Sequence, residues 1–213
     1  MRTAGIVLAA GQSRRMGKDK INLALSGAPL GSYAVNAALH SNLDLVSLVV
    51  RADDPLRWLV NPPNDRLIIT RCTDSKLGMS HSLRCGWNEA VDRGADCVLI
   101  LLADQPLVQT EHINALLTVY SLSPELHYVS AKDGDVVKPP LLLSSKVYSV
   151  ISKLEGDTGA RSVIRNPAYV GEQISFEKEV FYDADTPDTL LYLGELMDSC
   201  KKVDFSCFCQ VEK

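Results

Sequence analysis

The chain has 213 residues, of which 46% are hydrophobic and 23% are charged, and its formal net charge is -4. This length and ordinary composition favour one globular domain and argue against a disordered, collagen-like or coiled-coil chain. A mildly acidic chain is not a typical nucleic-acid binder, because that role needs a basic surface. The longest apolar run, residues 97–103, has the length of a strand and falls well short of the roughly 18 residues of a membrane helix.

The chain opens without a signal-peptide pattern, so we expect a cytoplasmic protein with no membrane partner. Its six cysteines include no CxxC pair, which predicts reduced thiols that behave as small hydrophobic side chains. We expect residues 1–200 to form the domain and residues 201–213 to be a loosely ordered tail. Cys200, Cys207 and Cys209 lie at this end of the chain, and no pattern explains their role.

Short apolar segments alternate with segments of helical periodicity along the whole chain. The predicted strands are residues 4–9, 45–50, 67–70, 97–102, 129–131, 141–143 and 180–182. The predicted helices are residues 30–40, 79–93 and 111–120, and a last helix that begins at Thr186 and Pro187. This alternation predicts an α/β fold, a single Rossmann-like three-layer domain in which helices flank a mainly parallel central sheet. Ligands bind beyond the carboxyl ends of such strands, which directs attention to the loops after Ala9, Thr70, Leu102 and Tyr182.

The loop after the first strand, residues 10–20, combines glycines with four cationic side chains. Glycines let backbone N–H groups approach an anion, and the cations Arg14, Arg15, Lys18 and Lys20 suit a triphosphate. Five residues separate Gly11 from Gly17, so this is not a Walker loop, and the dinucleotide-binding glycine pattern is absent as well. A solvated basic loop is the alternative interpretation.

Three further segments carry polar groups near strand or helix ends. Asp104 follows the most apolar strand and is suited to Mg²⁺, although an Asp before Pro106 also caps ordinary turns. Asp185 precedes Thr186-Pro187, which by itself is typical of helix capping, and Asp183 is a secondary candidate beside it. Residues 78–83 are either a cradle of N–H and O–H donors or a simple helix start capped by Ser80.

The pattern Leu8-Ala9-Ala10-Gly11-x-Ser13-x-Arg15-Met16-Gly17-x-x-Lys20 resembles the signature of nucleotidyltransferases that act on molybdenum cofactor. That family belongs to the wider group of NTP transferases that also make nucleotide sugars, which implies the nucleotide-diphospho-sugar transferase fold. By resemblance, this loop wraps the nucleoside triphosphate, Arg15 and Lys20 contact its phosphates, and Asp104 and Asp185 bind Mg²⁺. By resemblance, the catalytic residues are Arg15, Lys20, Asp104 and Asp185.

The base preference and the acceptor side also rest on resemblance. Ala10 and the Gly-Met-Ser-x-Ser-Leu segment at residues 78–83 are similar to the cytidylyl branch, in which Gly78, Ser80 and Ser82 would lie near the base and ribose. Residues 156–161 resemble a family motif that implies acceptor binding by Asp157 and Arg161. At Lys138 the sequence departs from the Gly-His-Pro of relatives, yet this lysine offers a cation to a pterin phosphate.

The resemblance implies transfer of CMP from CTP to molybdenum-loaded molybdopterin, with release of pyrophosphate. The dinucleotide cofactor formed would serve a molybdenum hydroxylase, such as a purine-oxidising enzyme. Guanylyl transfer from GTP to the same pterin and nucleotidyl transfer to a sugar or alcohol phosphate stay open. So does a function of another class, a non-catalytic carrier of molybdenum cofactor.

Overall fold

The computed structural model describes residues 1–11, 19–60, 64–156 and 159–202. Within these residues the strands are β1 (Thr3–Leu8), β2 (Ala24–Leu25), β3 (Ala28–Pro29), β4 (Leu45–Arg51), β5 (Leu67–Cys72), β6 (Cys97–Leu102), β7 (Tyr128–Asp133), β8 (Val136–Ser144) and β9 (Gly171–Ser175). The helices are α1 (Leu30–His40), α2 (Met79–Asp92), α3 (Thr110–Leu122), α4 (Tyr148–Ile151), α5 (Arg161–Ile164) and α6 (Pro187–Lys202).

Seven strands form one sheet in the order β5-β4-β1-β6-β8-β7-β9. All neighbouring pairs are parallel except those of β8, which runs antiparallel to β6 and β7. The central strands β1, β4 and β6 are almost continuously buried, which is why their sequences are apolar at nearly every position instead of alternating. The predicted mainly parallel sheet is therefore confirmed.

Helices cover both faces of this sheet, because successive strand residues point to opposite sides. Leu99 of β6 lies in one apolar cluster with Ile113 and Leu116 of α3. Its neighbour Val98 lies in the cluster on the other face, together with Trp87 of α2. The three-layer arrangement predicted from the sequence is confirmed, and none of the helices in the described residues has the length and apolar character needed to cross a membrane.

One predicted strand is wrong. Residues 180–182 belong to a 3-10 helix, Lys178–Phe181, and the extended segment that follows it. The amide N–H of Val180 donates to the carbonyl of Glu177 at 3.1 Å, and that of Tyr182 donates to the carbonyl of Glu179 at 3.1 Å. These local bonds use the donors that a strand would give to a neighbour.

Candidate active site

The loops that carry the predicted phosphate and metal residues leave the sheet side by side. Strands β1 and β6 are parallel neighbours, with Leu8 opposite Leu102. The amide N–H of Ala103 donates to the carbonyl of Leu8 at 3.1 Å, so the two backbone segments stay adjacent just beyond the ends of the strands. Asp104 and the segment from Ala9 to Gly11 consequently emerge at the same edge, where ligands bind in this class of sheet.

Lys20 brings together the two aspartates predicted to bind metal. Its Nζ lies 2.5 Å from Oδ2 of Asp104 and 2.6 Å from Oδ1 of Asp185. The Lys20 side chain is 12% exposed and that of Asp104 is 20% exposed. The backbone supports this approach, because the amide N–H of Ala184 donates to the carbonyl of Asp104 at 3.0 Å. Three groups that are distant in sequence therefore converge on one partly buried point.

The charges at this point influence one another. Burial lowers the pKa of Lys20, but Asp104 and Asp185 raise it more strongly, so the net pKa lies above its ordinary value and the lysine is a cation. Burial raises the pKa of Asp183 to about 6, with a further increase from the negative charges of Asp104 and Asp185. Oδ1 of Asp183 is buried and has no hydrogen-bond partner in the part of the chain that the structure describes. The site thus combines one cation with three carboxyl groups.

The start of the predicted phosphate loop is well defined. Ala9 and Ala10 are buried, whereas Gly11 is exposed. A Cβ atom placed on Gly11 would meet no atom of the described residues within 4 Å. The predicted contacts Ser13 and Arg15 lie outside the described residues, as do Arg14 and Lys18.

The segment predicted to lie near the base begins α2. Gly78 is the N-cap residue with a φ of 127°, and a Cβ atom there would come 2.3 Å from the carbonyl oxygen of Gly156. The capping alternative for Ser80 is wrong, because Ser80 lies inside the first turn and donates its amide N–H to the same oxygen at 3.1 Å. Its hydroxyl is buried without a partner among the described residues, and the Ser82 side chain is buried too.

The contact at Gly156 joins the predicted nucleotide segment to the predicted acceptor segment. Asp157 lies outside the described residues. Arg161 is exposed at the start of α5. Lys138, on β8, has its Nζ 2.8 Å from Oδ2 of Asp133 and 5.2 Å from the centre of the Phe181 ring. The charge of Lys138 is therefore partly balanced within the protein.

Arg51 is a site residue that the sequence interpretation missed. It ends β4, next to β1, and its guanidinium bonds the carbonyl of Gly11 and the carboxylate of Asp19. A charged residue at the carboxyl end of an apolar strand is the signal that would have identified it.

The fold is that of the nucleotide-diphospho-sugar transferases. The crystal structure of Rv0371c from Mycobacterium tuberculosis H37Rv has this fold, with a TM-score of 0.77 and 22% identity over 92% of this chain and 98% of that one. A family model described as the MobA-like NTP transferase domain matches residues 5–173, and the chain belongs to this family.

Two named relatives are similar in sequence. The chain is 36% identical over 192 residues to the purine catabolism protein PucB of Bacillus subtilis (strain 168). The aligned region covers 86% of this chain and 92% of PucB. It is 33% identical over 116 residues to a molybdenum cofactor guanylyltransferase of Rhodobacter capsulatus, covering 54% of this chain and 58% of that protein. The family membership of the chain indicates nucleotidyl transfer as its activity.

Proposed function

We propose that this protein transfers CMP from CTP to molybdenum-loaded molybdopterin and releases pyrophosphate. The observation that carries the proposal is the convergence of Lys20, Asp104 and Asp185 at the carboxyl edge of the sheet, with distances of 2.5 and 2.6 Å from one Nζ atom. A cation next to two carboxylates suits a triphosphate that arrives with a divalent metal. The family membership of the chain supports the same chemistry.

The reaction needs no covalent enzyme intermediate, because the pterin phosphate is already an anion. One of its oxygens forms a bond to the α-phosphorus of CTP, while the bond from that phosphorus to the bridging oxygen of pyrophosphate breaks. The protein then has to align the two reactants and balance negative charge. Lys20 would balance the negative charge, with Arg15 as its predicted partner.

Asp104 and Asp185 fit a magnesium ion that binds together with phosphates. Both carboxylates lie close to each other around Nζ of Lys20, and Mg²⁺ usually takes one or two carboxylates plus substrate phosphate oxygens. Within the described residues no group of three or more His, Cys, Asp or Glu side chains is arranged to hold a metal ion. When bound, Mg²⁺ would neutralise charge between the phosphates.

The choice of CTP rests on Ala10 and on the segment Gly78-Met79-Ser80-His81-Ser82-Leu83, which resemble the cytidylyl branch. The molybdopterin acceptor, and a purine-oxidising hydroxylase as the client, are supported by the names of the two relatives. The guanylyltransferase among them favours GTP as the second candidate nucleotide.

The test is pyrophosphate release by purified protein with Mg²⁺ and each of the four NTPs, with and without molybdenum-loaded molybdopterin. We expect release with CTP only when the pterin is present. A preference for GTP would overturn the base assignment. Release with a sugar or alcohol phosphate in place of the pterin would overturn the acceptor.

A paired substitution separates an enzyme from a cofactor carrier. Asp104→Asn should abolish pyrophosphate release and leave pterin binding intact, because the carboxylate is assigned to the metal and not to the pterin. Asp92→Asn, at an exposed position at the end of α2, is the matched control and should leave the activity unchanged. Full delivery of cofactor to a client hydroxylase by Asp104→Asn protein would support the carrier instead.

A further inference from the structure

Arg51 connects the two ends of the segment between Gly11 and Asp19. Its Nη1 donates to the carbonyl oxygen of Gly11 at 3.2 Å, and its Nη2 donates to Oδ2 of Asp19 in a very short bond. The Arg51 side chain is 19% exposed and that of Asp19 is 28% exposed, so the contact between them is partly shielded from water, whereas the bond to Gly11 lies at the surface. A single guanidinium therefore bridges Gly11, which follows β1, and Asp19, which precedes Lys20.

The buried carboxylate of Asp54 lies on the core side of this guanidinium. Oδ2 of Asp54 lies 4.0 Å from Nη2 of Arg51, and the Asp54 side chain is fully buried. Asp54 is anchored in turn, since its carboxylate accepts from the amide N–H of Leu56 at 2.7 Å and from Nε1 of the buried Trp58 at 3.3 Å. Arg51 therefore lies between the buried Asp54 and the two loop residues that it contacts, Gly11 and Asp19.

The electrostatics agree with this geometry. The hydrogen bond to Asp19 raises the pKa of Arg51 against the opposing effect of burial, and the charges of Asp19, Asp54 and Asp53 raise it further. A planar guanidinium can serve a carbonyl and a carboxylate at once, whereas the single ammonium group of lysine cannot reproduce that fork. The residue type is therefore part of the function of this contact.

Asp19 directly precedes Lys20, whose Nζ contacts Asp104 and Asp185. We propose that Arg51 is a positioning residue for the nucleoside triphosphate: by holding Gly11 and Asp19 it sets the backbone from which Lys20 reaches the phosphates. This inference rests on the proposed nucleotidyl transfer. Arg51 acts through Asp19 and Gly11 and does not itself contact the nucleotide.

Loss of Arg51 should lower the fraction of protein that is competent to bind NTP. Apparent affinity falls in proportion to that fraction, while turnover of the bound complex changes less. We expect Arg51→Gln to raise the KM for CTP about ten-fold or more, as for the loss of a charge-assisted hydrogen bond, with kcat within about three-fold of the original. Arg51→Lys should restore part of the affinity.

A second variant tests whether Arg51 acts through Asp19. Asp19→Asn should raise the KM for CTP as Arg51→Gln does, and the double variant should be no worse than either single one. Additive effects would mean that Arg51 contacts the nucleotide independently and would overturn the positioning role. If Arg51→Gln protein does not fold, Asp19→Asn decides by the same KM criterion.

Arg66→Gln is the matched control. Arg66 also donates to backbone carbonyls, among them that of Leu43 at 2.8 Å, but it does so near the opposite end of β4. Its substitution should lower the melting temperature without raising the KM for CTP. Direct titration with Mg·CTP separates the two hypotheses: if the original protein binds no NTP, the proposed function fails, whereas equal binding by the original and Arg51→Gln proteins overturns this inference alone.

Discussion

At the scale of single residues, the most informative group is the Lys20 ammonium between Asp104 and Asp185. Removing its charge would leave two carboxylates beside each other and take a cation away from the developing pyrophosphate. We expect Lys20→Met to lower the kcat for pyrophosphate release about 100-fold or more, the size seen when one electrostatic stabiliser is lost.

Lys146→Met is the control for the Lys20 variant. Lys146 is exposed and its Nζ donates to the carbonyl of Pro124 at 3.3 Å. It does not belong to the cluster of Lys20 with the two aspartates. Both variants should be folded, as judged by circular dichroism, before their rates are compared. Activity of Lys20→Met within three-fold of the Lys146→Met rate would contradict the role given to Lys20.

The described cysteines make a second residue-scale prediction. Cys72, Cys85 and Cys97 are free thiols, and Cys97 on β6 is 1% exposed. Burial, with a further contribution from Asp96 and Asp44, raises the pKa of Cys97 to about 12, so the reactive thiolate is scarce at neutral pH. Iodoacetamide at pH 8 should leave Cys97 unmodified in the folded protein and modify it in urea, as measured by peptide mass spectrometry. Rapid labelling of the folded protein would disprove this.

At the scale of elements, we expect the start of α3 to be sensitive to pH. Gln109 and His112 form a capping box, in which Nδ1 of His112 accepts from the amide N–H of Gln109 at 3.0 Å. A ring nitrogen that accepts a hydrogen bond must be unprotonated. The ring also lies edge-on to Phe176, with centroids 4.8 Å apart. Burial lowers the pKa of His112 below its ordinary value of 6.5, in spite of the opposing charges of Glu177 and Glu111.

The sign of the effect follows from this lowered pKa. The unfolded chain takes up the His112 proton first, so the contribution to stability is complete above pH 6.5 and declines as the pH falls through the folded-state pKa. Urea unfolding between pH 5 and 7.5 should therefore show a midpoint that falls towards acid. His112→Gln keeps a capping side chain that does not titrate, and should reduce this slope. Equal slopes in the two proteins would exclude His112 as the cause.

The buried central strands and the helices α1, α2 and α3 were predictable from the sequence, whereas of β8 (Val136–Ser144) only residues 141–143 were predicted and several short elements were missed. Continuous apolar runs and helical spacing located the central strands and α1, α2 and α3 to within a few residues. The predicted cap of α6 is confirmed, since the Thr186 hydroxyl accepts from the amide N–H of Thr189 at 3.2 Å. The hairpin of β2 and β3 was missed because each strand has two residues, joined by Ser26 and Gly27 with φ values of 46° and 96°. Strand β9 was missed because its sequence is largely polar and exposed at the sheet edge.

At the scale of the whole molecule, topology determines which predicted residues meet. The sequence and its family resemblance identified Lys20, Asp104 and Asp185, because each follows a recognisable motif. A backbone hydrogen bond between Ala184 and Asp104 accompanies their mutual contact, and no local pattern encodes it. Arg51 does carry a local signal, its place at the carboxyl end of an apolar strand, but its contacts with Gly11 and Asp19 could not be read from that segment alone. Individual site residues can be predicted from local sequence motifs. The contacts among them depend on the order of the strands in the sheet.

The assembled site makes a prediction about the stability of the entire fold. A ligand that binds only the folded state stabilises it by mass action, by about 2.7 kcal/mol at a concentration 100 times its Kd. For a chain of this size that corresponds to a rise of roughly 5–10 °C in the Tm. We expect this rise with CTP and Mg²⁺ together, and a much smaller one with CTP in a chelator, because the negative phosphates would then face Asp104 and Asp185 without a metal between them.

Differential scanning fluorimetry of the original protein and of Asp104→Asn checks this coupling. The Asn variant cannot supply the metal carboxylate, so Mg²⁺ should add little to its stabilisation by CTP. Asp92 is exposed at the end of α2 and has no role in the proposed site. The Tm of Asp92→Asn should therefore respond to CTP and Mg²⁺ as that of the original protein does. If CTP raised the Tm equally with and without Mg²⁺ in all three proteins, the carboxylates would not be metal ligands, and the charge balance of the site would rest on its cations alone.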